Sequence, residues 1–157
     1  MKITFITVGK TEDAYLKDGI EKYVKRLKHY TKLEMVDLPE LKNTKALTED
    51  QQKAKEAELI LKKITVQDHV ILLDENGMEF TSVQFANYIN KRSVSSSANL
   101  IFVVGGPYGF DQSVYQRAND KISLSRMTFS HQMVRLFFVE QLYRAYSIIK
   151  GEPYHHQ

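Results

Sequence analysis

Short apolar runs and amphipathic stretches alternate along this chain, and their order predicts strands followed by helices. Residues 2–8 are apolar and β-branched, as in a strand, and Gly9 ends the run before Thr11, which can cap a helix. We predict that this helix extends from Thr11 to His29. Its apolar positions recur at spacings of four, three and four: Leu16, Ile20, Tyr23 and Leu27.

The next stretch predicts a second strand and a second helix. Residues 32–38 alternate well enough for a strand, and Pro39 begins a polar connection. Thr48 and Gln51, three positions apart, form a capping-box signature at the start of a helix. The apolar face of that helix is predicted to be Ala54, Ala57, Leu61 and Ile64.

A third apolar run, residues 69–77, stops at an acidic turn that contains Asn76-Gly77. Asn-Gly favours the type I′ turn of a hairpin, which is one interpretation of this segment. Residues 81–92 fit a helix better, capped by Thr81 or Ser82. We therefore predict another strand and helix, with the hairpin as the alternative.

The second half of the chain continues the alternation. After a serine-rich loop, residues 99–106 form a strand that is apolar on both faces, as in the centre of a parallel sheet. A short helix and a short strand at 121–125 follow. From Ser130 to Lys150 a long helix is apolar around most of its circumference, so it must be covered on more than one side. The order predicts an α/β fold with a mostly parallel sheet, in a single domain of residues 1–157.

Composition narrows the class of protein. The absence of cysteine excludes disulfides and cysteine-ligated metal sites. The N-terminus has no signal-peptide pattern, and the longest apolar runs fall far short of the roughly 20 residues of a membrane span, so we expect a soluble, cytoplasmic protein. Lys and Arg number 22 against 19 Asp and Glu, and this net charge of +3 does not by itself indicate nucleic-acid binding.

Two glycine motifs are candidate ligand-binding loops. Gly9-Lys10-Thr11 lacks the earlier glycine of a phosphate-binding P-loop, because that position is Thr4. The run Gly105 to Gly109 matches neither the spacing nor the position of a dinucleotide fingerprint, and the layout of an ordinary Rossmann-type methyltransferase is not supported either. A glycine-rich loop after a central strand still suits a ligand, and a tight turn without a ligand explains it equally well.

Histidines and arginines are the other candidates. None of the five histidines forms a helical pair with a neighbouring carboxylate, so no metal site is predicted. An i, i+4 ion pair with Glu140 explains Arg144 well. It leaves Arg126 and Arg135 less well explained, because both are embedded among apolar residues near the expected ligand loops.

Four segments together resemble the ribosomal RNA large subunit methyltransferase H family, across nearly the whole chain: KITFITVGK, FVVGGPYG, ISLSRMTFSHQMVRLFFVEQLYRAYSII and GEPYH. The resemblance implies a SPOUT-type parallel sheet flanked by helices, with a C-terminal trefoil knot. It also implies a homodimer, in which the partner's copy of the last helix would supply the second cover that its apolar circumference needs.

The resemblance further implies S-adenosyl-L-methionine as the cofactor, with no metal and no nicotinamide. Apolar side chains can enclose adenine, while glycine and loop backbone can bond its edge and the ribose. Matched motif by motif, the cofactor-binding residues are Leu73, Gly105, Leu124, Ser125, Arg126, Met127, Thr128 and Phe129.

The implied reaction is methylation of N3 of a pseudouridine in 23S rRNA within the assembled ribosome. The catalytic candidates are His155 as the base, Tyr154 as a stacking or hydrogen-bonding group, and Arg135. The family commonly ends Tyr-His-Arg, whereas this chain has His156 in the last position, which puts a phosphate contact there in doubt. The alternatives are a catalytically inactive ribosome-associated binding protein of the same fold and, more distantly, a flavodoxin-like ligand module.

Overall fold

The computed structural model describes residues 1–156, and it has the predicted α/β fold with a parallel sheet. The strands are β1 (Lys2–Val8), β2 (Lys32–Leu38), β3 (His69–Glu79), β4 (Leu100–Val104) and β5 (Asp120–Ser123). The helices are α1 (Ala14–Leu27), α2 (Glu49–Leu61), α3 (Ser82–Ser95), α4 (Gln112–Arg117) and α5 (Met133–Ile149). The five strands pair in parallel in the order β2-β1-β4-β3-β5, which leaves the wholly buried β4 in the centre.

Two helices start at predicted caps, and one does not. The Thr48 hydroxyl accepts from the backbone N–H of Gln51 at 3.1 Å, and Thr81 caps α3 in the same way through Gln84. The predicted start of α1 at Thr11 is wrong, because Asp13 is the N-cap. Thr11 lies in the connection before the helix, where its hydroxyl oxygen is 3.3 Å from an Arg135 nitrogen.

The hairpin alternative at Asn76-Gly77 is also wrong. β3 continues to Glu79 and pairs with β5, with a register shift between Leu73 and Met78. A Cβ added at Gly77 would lie 2.6 Å from the backbone nitrogen of Ile122, so the glycine permits the close approach of the two strands. Leu73 and Met78 both pair with Ile122, so residues 74–77 form an irregular excursion within β3 in place of a hairpin turn.

Helices cover both faces of the sheet. On the face of α1, α3 and α5, the ring of Phe138 lies 4.5 Å from that of Phe5 and 4.7 Å from that of Phe102. On the other face, α2 buries Ala57 and Ile60 against the sheet. The predicted face of α2 is partly wrong, since Ala54 is exposed and Ile64 lies beyond the end of the helix.

α5 is covered within its own chain. It lies between α1 and α3: a Cβ added at Gly19 would be 2.9 Å from the Leu136 side chain, and the Ser82 hydroxyl bonds the Gln141 amide at 2.8 Å. The apolar circumference of α5 therefore does not by itself require a partner subunit, because two neighbouring helices and the sheet cover it. Across residues 1–156, no helix combines the length and apolar content needed to cross a membrane.

Candidate functional site

A cavity of about 540 Å³, which we call the strand-end cavity, opens at the carboxyl ends of β4 and β5, beside the irregular segment within β3. Its volume is in the range of small-molecule and cofactor sites. Three segments form its walls, at residues 73–76, 104–110 and 123–131. Seven of the eight predicted cofactor residues line it: Leu73, Gly105, Leu124, Ser125, Met127, Thr128 and Phe129.

The glycine-rich loop is both a tight turn and a wall of this cavity. A Cβ added at Gly105 would lie 3.1 Å from the carbonyl oxygen of Gly109 and 3.2 Å from the ring of Phe110. Gly109 has a φ of +85°, and its N–H donates to the carbonyl of Gly106 at 3.2 Å. The loop thus folds back on itself, and its three glycines line the cavity together with Pro107 and Tyr108.

The charged groups around the cavity favour a cationic ligand. Among the described residues, its ionisable lining groups are Asp74, Glu75, Tyr108, Tyr115 and His131. Burial and the nearby Arg135 lower the pKa of His131 below its usual range, so this imidazole is neutral at pH 7. With the carboxylates ionised, the cavity carries negative charge.

Sequence reasoning did not assign Asp74, Tyr115 or His131 to the site. Asp74 had a usable signal, since it directly follows the apolar run of β3, and a carboxylate after such a run is expected near the ligand-binding edge of a parallel sheet. His131 follows the predicted cofactor segment by two residues. Tyr115 lies on α4, and no spacing in the sequence indicates its contact with Asp74.

A buried acid lies behind the glycine-rich loop. Glu56 on α2 is only 4% exposed, and a Cβ added at Gly106 would lie 2.7 Å from both of its carboxylate oxygens. The Gln52 amide donates to the carboxylate at 3.3 Å. Burial raises the pKa of Glu56 above its usual range, because the charged form loses its hydration.

We expect Glu56→Gln to stabilise the fold at neutral pH. A raised pKa means that the folded chain binds the Glu56 proton more tightly than the unfolded chain, so the wild type loses stability as pH rises past the unfolded pKa of about 4.3. The neutral amide avoids that loss. Urea unfolding from pH 4 to pH 8 should show an advantage of the variant that grows with pH. An advantage that is equal at all pH values would contradict this explanation.

Arg126 does not line the cavity, contrary to the prediction. Its side chain is 86% exposed and pairs with Glu79 at 2.9 Å. The apolar neighbours in sequence face the cavity or the core, whereas the charged group points to solvent. The pairing holds the pKa of Arg126 above its usual value. An exposed ion pair of this kind contributes little to binding or stability.

Arg135 is buried in the core and not in the cavity. It is 1% exposed, and its guanidinium donates to the carbonyl oxygens of Val8 at 2.8 Å and Gly9 at 2.9 Å. The same group contacts the Thr11 hydroxyl and the His131 carbonyl. These contacts tie the start of α5 to the end of β1, and they point to a structural role in place of the predicted catalytic one.

The C-terminal tail packs along α5. The Tyr154 hydroxyl donates to Glu140 at 2.9 Å and lies 3.1 Å from the Tyr23 hydroxyl. Burial and these contacts raise the pKa of Tyr154, so it keeps its proton. The predicted pair of Arg144 with Glu140 is present at 2.6 Å, and Arg144 also reaches Nδ1 of His155 at 3.1 Å.

The tail and the strand-end cavity are separate within one chain. The cavity touches α5 at Val134, and Glu140 lies six residues, or about 9 Å, further along the helix axis. Tyr154 and His155 therefore do not join the predicted cofactor residues. Among residues 1–156, no three His, Asp or Glu side chains converge in a way that could hold a metal ion.

The sequence is similar to one family along almost its whole length. A family model described as a predicted SPOUT methyltransferase matches residues 1–155. The ribosomal RNA large subunit methyltransferase H of Cytophaga hutchinsonii is 58% identical over 156 residues, which cover 99% of this chain and 100% of that protein. The protein of the same name from Parabacteroides distasonis is 54% identical over 157 residues, with 100% of both chains covered.

Two solved structures are similar in fold. A probable methyltransferase from Bordetella pertussis has a TM-score of 0.57 and 10% identity, and the match covers 92% of this chain and 94% of that one. A probable methylase family protein from Haemophilus influenzae has a TM-score of 0.52 and 13% identity, with 99% of this chain and 70% of that one covered. At these identities the similarity shows the fold alone.

Proposed function

Since the chain belongs to the ribosomal RNA large subunit methyltransferase H family of SPOUT methyltransferases, we propose that it methylates 23S ribosomal RNA within the assembled ribosome. The proposed acceptor is N3 of a pseudouridine, and the proposed methyl donor is S-adenosyl-L-methionine. The observation that carries this proposal is the convergence of seven predicted cofactor residues on one cavity of suitable size. This setting places the enzyme in the cytoplasm.

The residues of the strand-end cavity fit the donor. Leu73, Leu124 and Phe129 offer apolar surface for adenine, and the backbone of the glycine-rich loop offers hydrogen bonds to polar edges. The acidic lining suits the positive sulfonium. S-adenosyl-L-methionine supplies the methyl group: its bond to sulfur breaks as the bond to N3 forms, which leaves S-adenosylhomocysteine and releases the N3 proton.

The path of the chain after β5 supports the proposed trefoil knot in a single SPOUT domain. β5 is the edge strand next to β3, yet Arg135 bonds the end of β1, which is separated from β5 by the two strands β3 and β4. The intervening segment must therefore cross the ends of β3 and β4, where residues 123–131 line the cavity together with the loops that follow those strands. We propose that this crossing threads the knot.

A homodimer would unite the tail with a cavity. Within one chain His155 and Tyr154 lie too far along α5 to reach the strand-end cavity. An isologous interface over the exposed residues 126–130 and the half-buried start of α5 would bring the partner's tail to that cavity, and the ring pair Phe129 and Phe137, 4.9 Å apart, borders it. We propose that each active site combines the cavity of one protomer with the tail of its partner.

The contact with Arg144 refines the proposed role of His155. A guanidinium only donates hydrogen bonds, so Nδ1 of His155 must accept, and the neutral ring carries its proton on Nε2. Nε2 has no partner among the described residues. Nε2 is buried in this arrangement, so the tail must shift to expose it. His155 would then donate to a carbonyl of the base and stabilise the anion that forms when N3 loses its proton. A role as the base would require the Arg144 contact to break.

α1 offers a surface for the RNA backbone. Its solvent face carries Lys17, Lys22, Lys25 and Lys28. Beside it, Arg26 lies 5.5 Å from the ring of Tyr23 and 5.4 Å from that of Tyr143. Lysines of this kind bind phosphates without reading sequence, which suits an enzyme that recognises a ribosomal surface.

The decisive test of the proposed function is methyl transfer to ribosomes. Ribosomes from cells that lack the enzyme should accept tritium from labelled S-adenosyl-L-methionine, and the modified nucleotide should map to one pseudouridine of 23S rRNA. The Gly105→Val variant, whose side chain would fill the cavity wall, should incorporate only background label. Wild-type protein that binds ribosomes without transferring label would instead support the inactive binding protein.

We expect Phe137→Glu to convert the dimer to monomers. Phe137 is only partly buried in its own chain, so a charge there would be placed in the proposed interface. Sedimentation of the variant should give a monomer mass with an unchanged circular dichroism spectrum. Val94→Glu is the matched control, because Val94 is 81% exposed on α3. A dimer mass for Phe137→Glu would refute this interface; Phe138 is unsuitable for the test because it is 0% exposed in the core.

A further inference from the structure

Among the described residues that line the strand-end cavity, Asp74 is the one carboxylate whose two oxygens both accept hydrogen bonds. The backbone N–H of Asn76 donates to Oδ1 at 2.9 Å, and the Tyr115 hydroxyl donates to Oδ2. By contrast, Glu75 beside it is exposed and makes no hydrogen bond within residues 1–156. A carboxylate fixed in this way presents its charge to the cavity in one orientation.

Contacts of its ring fix the position of Tyr115, which donates to that carboxylate. It lies on α4, and its ring packs edge-on against Phe110 of the glycine-rich loop, 5.7 Å between centroids. The Lys121 amine lies 5.5 Å from the centroid of the same ring. Burial and the bond to Asp74 raise the pKa of Tyr115, so its hydroxyl remains a donor at any physiological pH.

We infer that Asp74, oriented by Tyr115, is a specificity-determining residue that recognises the positive charge at the reacting centre of the methyl donor. This inference rests on the proposed function. The donor and its product share the adenosine and the amino acid, but the donor alone carries a sulfonium charge. A fixed carboxylate therefore favours the donor over the product. The apolar walls and backbone hydrogen bonds contact parts that the two ligands share, so they do not discriminate between them.

The test measures discrimination between ligands. Calorimetry would give the Kd of S-adenosyl-L-methionine, of S-adenosylhomocysteine, and of sinefungin, whose amine mimics the charged centre. In Asp74→Asn, the Kd of S-adenosylhomocysteine divided by the Kd of S-adenosyl-L-methionine should fall about tenfold. The affinity for sinefungin should weaken as the affinity for the donor does. In Tyr115→Phe the ratio should fall less, about threefold, because the carboxylate remains but is held at one oxygen only. Glu58→Gln, which removes an exposed charge on α2, should leave the ratio unchanged.

The outcomes separate this inference from the proposed function. If the wild type binds neither donor nor product, the proposed function fails and the inference fails with it. If the wild type binds both but Asp74→Asn weakens all three ligands equally, Asp74 has only a structural role and the inference alone is overturned. An unchanged ratio in Asp74→Asn overturns it as well.

Discussion

Replacing Arg135 by Met is expected to lower the free energy of unfolding by about 3 kcal/mol. The guanidinium satisfies the buried carbonyls of Val8 and Gly9, and a buried acceptor that loses its donor costs roughly 1–3 kcal/mol. Met keeps much of the volume, so the loss reports the hydrogen bonds and not a cavity. Urea unfolding at fixed protein concentration measures the effect.

Arg126→Met is the matched control for this prediction. The same change at a side chain that is 86% exposed and paired only at the surface should alter the free energy of unfolding by no more than about 0.5 kcal/mol. If Arg135→Met is as stable as this control but fails to methylate ribosomes, the structural role would be wrong and Arg135 would be catalytic.

Local signals predicted the elements of the sheet well. Both 2–8 and 32–38 are strands to the residue, because apolar alternation and a following breaker bound them. The starts at Thr48 and Thr81 were equally predictable, since a capping box is made by residues three positions apart. Each of these features is stabilised by neighbours in sequence.

The errors arose where distant parts of the chain decide the structure. Thr11 does not cap α1, and it contacts Arg135, which is 124 positions away. Asn76-Gly77 lies in an irregular segment of β3, because Leu73 and Met78 on either side of it both pair with Ile122 of β5. α1 and α3 pack against the apolar surface of α5. The hydrophobic pattern of a helix shows which face is buried but not which element packs against it.

The candidate site also combines residues that the sequence could indicate with contacts that it could not. Periodicity alone left the glycine-rich loop ambiguous, and the resemblance supplied the other two walls, Leu73 and the segment after β5. Arg126 does not line the cavity, because its apolar neighbours in sequence are not its neighbours in space. The bond between Asp74 and Tyr115 joins positions 41 apart, so the sequence could offer the carboxylate but not the group that orients it.

Replacing His155 by Ala is expected to lower the turnover of ribosome methylation about 100-fold while the affinity for S-adenosyl-L-methionine stays nearly constant. Loss of one donor aimed at a developing negative charge has effects of about 10²–10³ in enzymes. His155→Gln retains an N–H donor but cannot act as a base, so it should recover part of the turnover. Equal loss in both variants, with a turnover in the wild type that rises across the pKa of histidine, would favour the base role instead.

Mixing two inactive variants tests whether the tail serves the partner's cavity. A dimer of one His155→Ala chain and one Gly105→Val chain pairs an intact cavity on the first chain with an intact tail on the second. If sites are shared across the interface, co-purified mixed dimers regain methylation at one of their two sites. If each tail serves its own chain, every site in the mixed dimer lacks one component and the activity stays at the level of the separate variants. Recovery therefore requires both the dimer and the exchange of tails, since neither alone rebuilds a complete site.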